Sequence, residues 1–158
     1  MYDDIIAKYA LQYNVPEPWI RAVIATESSW NVNAYRAEPS IGDASYGLMQ
    51  LLYRTAAGLG YSGDPVGLYD PDTNIGLGTQ LLSQLRAKWG DDVQAVYSAY
   101  NSGSGTSYLS NASVATHVAN FVNNLESVIA ANPIVSSTGG FAAILVMLIL
   151  WYWIKKKK

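Results

Sequence analysis

From Asp3 to Val128 apolar side chains recur at helical spacing, and the pattern predicts a series of helices joined by polar loops. Ile5, Ile6, Tyr9, Ala10 and Tyr13 share one side of a first helix that follows Asp3 and Asp4. Asn14-Val15-Pro16-Glu17-Pro18 breaks it, because proline is tolerated only in the first turn of a helix. Ile20, Val23, Ile24 and Glu27 then fall at i, i+3, i+4 and i+7 on one face of a second helix running to about Ser29. The chain from Asn31 to Tyr46 reads as irregular, with Pro39, Gly42 and Asp43, and a shorter helix is expected from Leu48 to Gly58. Gly60 to Asp72 is a loop rich in Gly, Pro and Asp. Asp72 or Thr73 can cap the helix that follows, whose apolar stripe holds Ile75, Leu82, Leu85 and Trp89 and which Gly90 ends. Asp91 and Asp92 open a further helix carrying Val93, Val96, Tyr97 and Tyr100, stopped by Asn101-Ser102-Gly103-Ser104-Gly105. A last amphipathic helix carries Val114, Val118, Phe121, Val122, Leu125 and Val128. No stretch alternates as a strand would, and no internal repeat is visible, so the expected fold class is mainly α.

The pattern changes beyond residue 132. From Phe141 to Ile154 fourteen residues pass without a charge. A helix needs about 20 residues to cross a bilayer, and Ser136-Ser137-Thr138-Gly139-Gly140 can lengthen the span. Trp151, Tyr152 and Trp153 stand where an interfacial aromatic belt lies, with four lysines just beyond. A buried core helix is the alternative, but it would have no polar face and an abrupt cationic end. The expected organisation is a helical domain over 1–132, a linker over 133–140, a single transmembrane helix over 141–154 (from about 136 if the hydroxyl residues enter the membrane) and a basic tail over 155–158.

Charge and composition narrow the functions. Lys155 to Lys158 supply four of the ten basic residues, so the rest of the chain sets six basic against twelve acidic side chains. Phosphate contacts need a concentrated basic face, which argues against nucleic acid as a partner. Cysteine is absent and His117 is the single histidine, so no thiolate chemistry and no metal or other cofactor is expected. The N-terminus begins with acidic residues and lacks the basic start of a secretory signal peptide.

Glu27 carries the candidate chemistry. A carboxyl on the apolar face of a helix is costly to ionise, which raises its pKa. Glycosidic cleavage needs such an acid to protonate the leaving oxygen. A glutamate at a helix end is more often exposed and inert, so the isolated signal is weak.

The neighbouring motifs strengthen it. Glu27-Ser28-Ser29-Trp30-Asn31 is followed by Ala44-Ser45-Tyr46-Gly47-Leu48-Met49-Gln50-Leu51, then Thr55-Ala56, Asp70-Pro71, Asn74-Ile75 and Ala99-Tyr100-Asn101-Ser102-Gly103. In this order and spacing the segments resemble the lytic transglycosylases of the soluble Slt type, with goose-type lysozymes and phage muramidases among their relatives. The resemblance implies a lysozyme-like helical domain acting on peptidoglycan glycan strands. It implies that Glu27 protonates the oxygen between N-acetylmuramic acid and N-acetylglucosamine, then takes the proton of the muramoyl C6 hydroxyl as a 1,6-anhydro ring closes. It further implies that Gly47 admits the substrate close to the backbone, that Met49 and Gln50 line the groove, that Tyr100 hydrogen-bonds Glu27, and that Asn101 holds the groove loop. Read without the family, Met49 and Tyr100 are as well placed for the core, Asn101 for a cap, and Gly47 for a tight turn. Ser28 reads as structural. Two departures stand out: His117 occupies the place of a groove tyrosine, and Ser40-Ile41-Gly42-Asp43-Ala44 replaces the commoner Ser-x-x-Gly-Ala.

Glu38 and Asp43 are the only acids between Glu27 and the Gly-Leu-Met-Gln segment, and both are expected as solvated loop charges. One acid suffices for a transglycosylase, whose substrate supplies the nucleophile; a water-using muramidase stays open, as does a catalytically silent glycan-binding membrane protein. Terminal lysines favour the cytoplasmic side of a membrane, leaving the domain outside; a cytosolic domain with a translocated lysine tail is the other option, at the cost of moving four charges. The expected setting is a membrane-anchored enzyme of a bacterial envelope or of a bacteriophage virion with an internal membrane, with virion proteins as partners in the second case.

Overall fold

The computed structural model describes residues 2–131, and the predicted linker, transmembrane helix and basic tail lie outside them. The chain divides into two compact units, Met1–Leu125 and Glu126–Lys158, and everything that follows on the site concerns the first.

Six helices and a small sheet make up the described residues. Helix α1 (Asp3–Tyr13) ends where Asn14 turns left-handed, at φ 52°. Helix α2 (Glu17–Ser28) starts with Pro18 in its first turn and buries Trp19, Ile20, Ala22, Val23 and Ile24. Three short strands follow, β1 (Tyr35–Glu38), β2 (Asp43–Tyr46) and β3 (Leu51–Leu52), and then α3 (Tyr53–Gly58). A 3-10 turn over Pro65–Tyr69 leads into the long α4 (Pro71–Trp89). Helix α5 (Val93–Ser102) and α6 (Ala112–Ala131) complete the order, with a second 3-10 turn over Ser107–Leu109 between them.

Helix α1 packs along α4. Tyr9 and Lys8 both bond Asp72, at 2.8 Å each, and Ser83 Oγ donates to the Tyr13 carbonyl at 2.8 Å. The start of α4 corrects one expectation: Asp70 is the cap, accepting from the Thr73 N–H at 2.9 Å, because Pro71 fills the first helical position. Asp72 is thereby free to hold α1. Helix α6 presents Val114, Val118, Phe121 and Leu125 to the core, as its spacing predicts.

The sheet is the chief departure from the sequence reading. It is antiparallel in the order β1-β2-β3, with Tyr35 opposite Tyr46, Glu38 opposite Asp43, and Tyr46 opposite Leu51. Strands of four, four and two residues are too short to show a period of two, and β1 is exposed along most of its length. The helix expected from Leu48 is also shortened at its start. Gln50 takes a positive φ of 47°, which no helix tolerates, and Leu51–Leu52 pairs with β2 before α3 begins at Tyr53.

The turn between β2 and β3 is held from inside. Asn74 on α4 is fully buried and accepts from the Met49 N–H at 2.8 Å through Oδ1. Its Nδ2 donates to the carbonyls of Tyr46 (2.9 Å) and Leu68 (2.8 Å). One amide therefore satisfies three buried backbone groups. Gly47 sits in this turn at φ +71°, and a Cβ there would come within 2.5 Å of the Leu68 carbonyl and 2.6 Å of Asn74 Nδ2. The position needs glycine for its backbone angle and for the approach of Asn74. The turn thus demands glycine on structural grounds alone.

Candidate active site

Glu27 lies in the last turn of α2, on the same face as the buried Val23 and Ile24 and one turn beyond them. It opens on a cleft of about 180 Å³ whose walls include Arg36, Glu38, Gln50, Leu51, Tyr100 and Asn101. The residue keeps part of its surface open to the cleft, while its carboxyl is crowded by protein atoms. Burial raises its pKa above the ordinary carboxyl value, because the charged form loses its hydration. Two smaller influences oppose this, a hydrogen bond from Tyr97 and the positive charge of Arg36.

Tyr97 is the direct partner of the acid. Its hydroxyl donates to Glu27 Oε1 at 2.6 Å, and the ring is fully buried. Burial, reinforced by the Glu27 charge and hydrogen bond, holds the Tyr97 pKa far above its usual value, so it remains a donor. The ring stacks on Phe121 of α6, with centroids 4.3 Å apart and planes 5° from parallel, and lies over Tyr100 at 6.2 Å. With Oε1 accepting from Tyr97, the proton of a neutral Glu27 belongs on Oε2, free for a ligand.

Tyr100 makes a different bond from the one expected. Its hydroxyl donates to the Met49 carbonyl at 2.8 Å, and the partner assigned to it, Glu27, is bonded by Tyr97. Tyr97 and Tyr100 sit at i and i+3 on one helical face, so the spacing could not tell which hydroxyl reaches the acid. Tyr100 still lines the cleft and ties α5 to the turn that follows Gly47. Burial pushes its hydroxyl well above the usual pKa.

Met49 also departs from expectation. Its side chain is fully buried against Gly78 of α4, where any added Cβ would collide with the Met49 sulfur. It is core packing, and its contribution to the site is its backbone carbonyl. Gln50 does line the cleft, but its Nε2 donates to the carbonyls of Ala34 and Gly47, each at 3.0 Å. Both amide hydrogens brace the loop, which leaves Oε1 as its group able to accept from a ligand. Asn101 lines the cleft from the last turn of α5. Ser28 donates to the Ile24 carbonyl at 3.1 Å, a helix-internal bond. His117, on α6, is not among the cleft-lining residues.

The two further acids are not the solvated charges expected of them. Asp43 is 7% exposed in its side chain and clasps the start of α3, accepting from the Arg54 N–H at 3.1 Å and pairing with Arg54 Nε at 3.3 Å. Glu38 lines the cleft and pairs with Arg36, Nε to Oε1, at 2.6 Å. Hairpin formation brings both inward. Among the described residues no group of three or more acids and histidines could hold a metal ion.

Comparison with known proteins agrees with this geometry. The Transglycosylase SLT domain model matches residues 4–119. The soluble lytic murein transglycosylase of Escherichia coli (strain K12) is 32% identical over 111 residues, covering 66% of this chain and 16% of its own length. Membrane-bound lytic murein transglycosylase C of Yersinia pestis (strain Pestoides F) is 34% identical over 119 residues, covering 66% of this chain and 32% of its own. Among solved structures, the 70 kDa soluble lytic transglycosylase of Escherichia coli superposes with a TM-score of 0.58 at 27% identity, over 78% of this chain and 21% of that one. The fold is shared as well with lytic transglycosylase Slt of Pseudomonas aeruginosa, at a TM-score of 0.70 and 21% identity, over 81% of this chain and 24% of that one. This chain thus spans a third or less of the length of each. With the family model matching most of its length, the chain belongs to the Transglycosylase SLT domain family.

Proposed function

We propose that the chain is a peptidoglycan lytic transglycosylase that cleaves between N-acetylmuramic acid and N-acetylglucosamine and leaves a 1,6-anhydromuramoyl end. The observation that carries this reading is Glu27: a carboxyl held by burial toward its neutral form, on the wall of an open cleft, with one oxygen engaged by Tyr97. Oε2 gives its proton to the glycosidic oxygen as the bond to the muramoyl anomeric carbon breaks. The same oxygen, now charged, takes the proton of the C6 hydroxyl as that hydroxyl closes on the anomeric carbon. Proton and base return to their starting state with no second protein carboxylate required. Tyr97 keeps the carboxyl oriented through both steps. Gln50 Oε1 and Asn101 serve as polar contacts for the sugar hydroxyl and acetamido groups, and Tyr100 shapes the groove floor through Met49.

Digestion of purified sacculi tests this directly. Mass spectrometry is expected to find muropeptide ends that lack one water, and Glu27→Gln is expected to abolish them. Equal clearing of a peptidoglycan zymogram by both proteins would end the catalytic claim for Glu27, and clearing by neither would support a silent glycan-binding role in place of the enzyme. Bulgecin A, which is found in complex with a 70-kDa soluble lytic transglycosylase, is expected to occupy the cleft and inhibit.

We infer further that residues 141–154 anchor the enzyme to a membrane. No helix among the described residues is long and apolar enough to cross one. The support is the uncharged run itself, with its aromatic end and four lysines. A tether raises the effective concentration at the wall. Alkaline carbonate extraction is expected to leave the full chain in the membrane fraction and to release one ending at residue 132. The setting we favour is the internal membrane of a bacteriophage virion, where local wall opening accompanies genome entry. Recovery from purified particles supports it; recovery only from uninfected envelopes overturns it.

A further inference from the structure

Among the described residues that wall the cleft Arg36 alone is cationic, and the reaction proposed above gives it no task. It lies on β1 opposite Ser45, and alternation along the strand turns Arg36 and Glu38 to the cleft side. The four arginines of the chain are not used alike. Arg21 donates from both terminal nitrogens, to Asp3 and Glu17. Arg54 gives Nη2 to the Ile41 carbonyl, and Arg86 gives Nη1 to the Asn14 carbonyl at 2.6 Å. Arg36 differs. Its ion pair with Glu38 runs from Nε, at 2.6 Å, and neither Nη1 nor Nη2 hydrogen-bonds any described residue. The side chain is 57% exposed, whereas the Glu38 Oε1 it pairs with is enclosed, so the open end of the pair is the positive one. The Glu27 carboxyl and the Tyr97 hydroxyl across the cleft both feel that positive charge. The two outer N–H groups of a planar guanidinium match the two oxygens of a carboxylate. Outside the terminal lysines the chain sets six basic against twelve acidic side chains, so an anionic substrate needs a local cation to enter.

We propose that Arg36 sets substrate preference: the edge formed by Nη1 and Nη2 binds a carboxylate carried beside the muramoyl unit that is cut. This deepens the reading of the cleft as a peptidoglycan-cleaving site and rests on it. The lactyl group of the muramoyl unit offers the carboxylate in two forms. Where a peptide stem is attached, the lactyl carboxyl is an amide and the stem supplies the charge. Where the stem has been removed, the lactyl carboxyl itself is free. Arg36 binds and orients the strand and moves no proton, while Glu38 steadies the guanidinium from its Nε side. Gln50 and Asn101 contact the neutral parts of the sugars, so charge recognition falls to Arg36.

Soluble glycan strands supply the test in two forms, with peptide stems and with the stems removed by an amidase, each also with its carboxyls converted to neutral methylamides. Cleavage is followed below the alkaline limb of the pH–rate profile, which keeps the protonation of Glu27 out of the comparison. The unaltered protein is expected to lose about three- to tenfold in kcat/KM when the carboxyls are neutralised, chiefly through KM, as befits a half-exposed charge-assisted contact. The form with the larger loss shows whether the stem or the lactyl carboxylate is bound. Arg36→Gln and Arg36→Ala are each expected to bring charged and neutral strands to the same efficiency. Arg36→Lys, which keeps the charge without the fork, is expected to restore part of the preference, with circular dichroism confirming that each variant is folded. A preference for charged strands that survives in the folded glutamine or alanine variant would overturn the proposal. So would equal efficiency on all strands by the unaltered protein, and either result leaves the transglycosylase reading standing. No cleavage of any strand by the unaltered protein, or full cleavage by Glu27→Gln, would instead overturn the reading of the site and this proposal with it.

Discussion

Glu27 and Glu38 face one cleft from walls of opposite construction. The Glu27 wall is helical and dry, made by α2 and α5 and backed by Tyr97, Phe121 and Val23, all nearly or fully buried. The Glu38 wall is a hairpin in which Tyr35, Arg36 and Ala37 are exposed and the charges are matched by Arg36 and Arg54. Burial without a counter-charge in contact raises the pKa of the first acid; the second forms an ion pair with Arg36. A proton donor and a charge-paired carboxylate can therefore occupy one site, each set by what surrounds it.

The comparison breaks most completely at Glu27. Glu27→Gln is expected to lower the rate of sacculus digestion by about 10²- to 10⁴-fold, the usual contribution of a general acid. The same variant is expected to melt at a higher temperature at pH 7. A carboxyl whose folded pKa is raised binds its proton more tightly when folded, so its penalty is absent below the unfolded value of 4.5 and grows as pH rises through the folded one. The stabilisation should accordingly fade in melts at pH 4.

The next effect concerns the joint between the walls. Asn74→Ala leaves the Met49 N–H and two carbonyls without their buried partner, and a loss of about 3 kcal/mol is expected in denaturant unfolding. Both walls should suffer together, because the turn that Asn74 holds joins β2 to β3 and carries the carbonyl that Tyr100 grips.

Tyr97→Phe sharpens the contrast. The hydrogen bond it removes holds the Glu27 pKa down, so the alkaline limb of the pH–rate profile should move upward. A fall in kcat of about tenfold should accompany it as the carboxyl loses its orientation, read from the same profile. Arg36→Gln gives the smallest expected change. Loss of a nearby positive charge again raises the Glu27 pKa, but Arg36 is largely exposed and screened, so the limb should move less than in Tyr97→Phe and the difference should shrink in high salt.

The unequal legibility of the two walls in the sequence has the same origin. Burial of one helical face repeats every three or four residues over many turns, so the placing of Ile20, Val23, Ile24 and Glu27 on one side of α2 was readable, as was the stripe of α6. The hairpin wall gave no such signal. Its strands are too short for a period to register, and its cohesion comes from partners distant in sequence: Asn74 for the turn, Arg54 for Asp43. Glu38 and Asp43 consequently looked like ordinary solvated charges. At the site itself the motifs located the loop and helix that matter, but misassigned single contacts. Met49 packs against Gly78, and the hydroxyl on Glu27 comes from Tyr97 in place of Tyr100. Which of two tyrosines one turn apart reaches an acid depends on how α5 is rotated against α2, and that rotation is fixed by packing, through Phe121 among others.

Direct titration of the Glu27 carboxyl bears on the centre of this account. In a carbon-13 NMR titration of protein labelled at glutamate carboxyls, with the signal assigned by its loss in Glu27→Gln, the midpoint is expected above 4.5. A midpoint at or below that value would show the carboxylate to be comfortably ionised in its wall, and the proton needed for glycosidic cleavage would have to come from elsewhere.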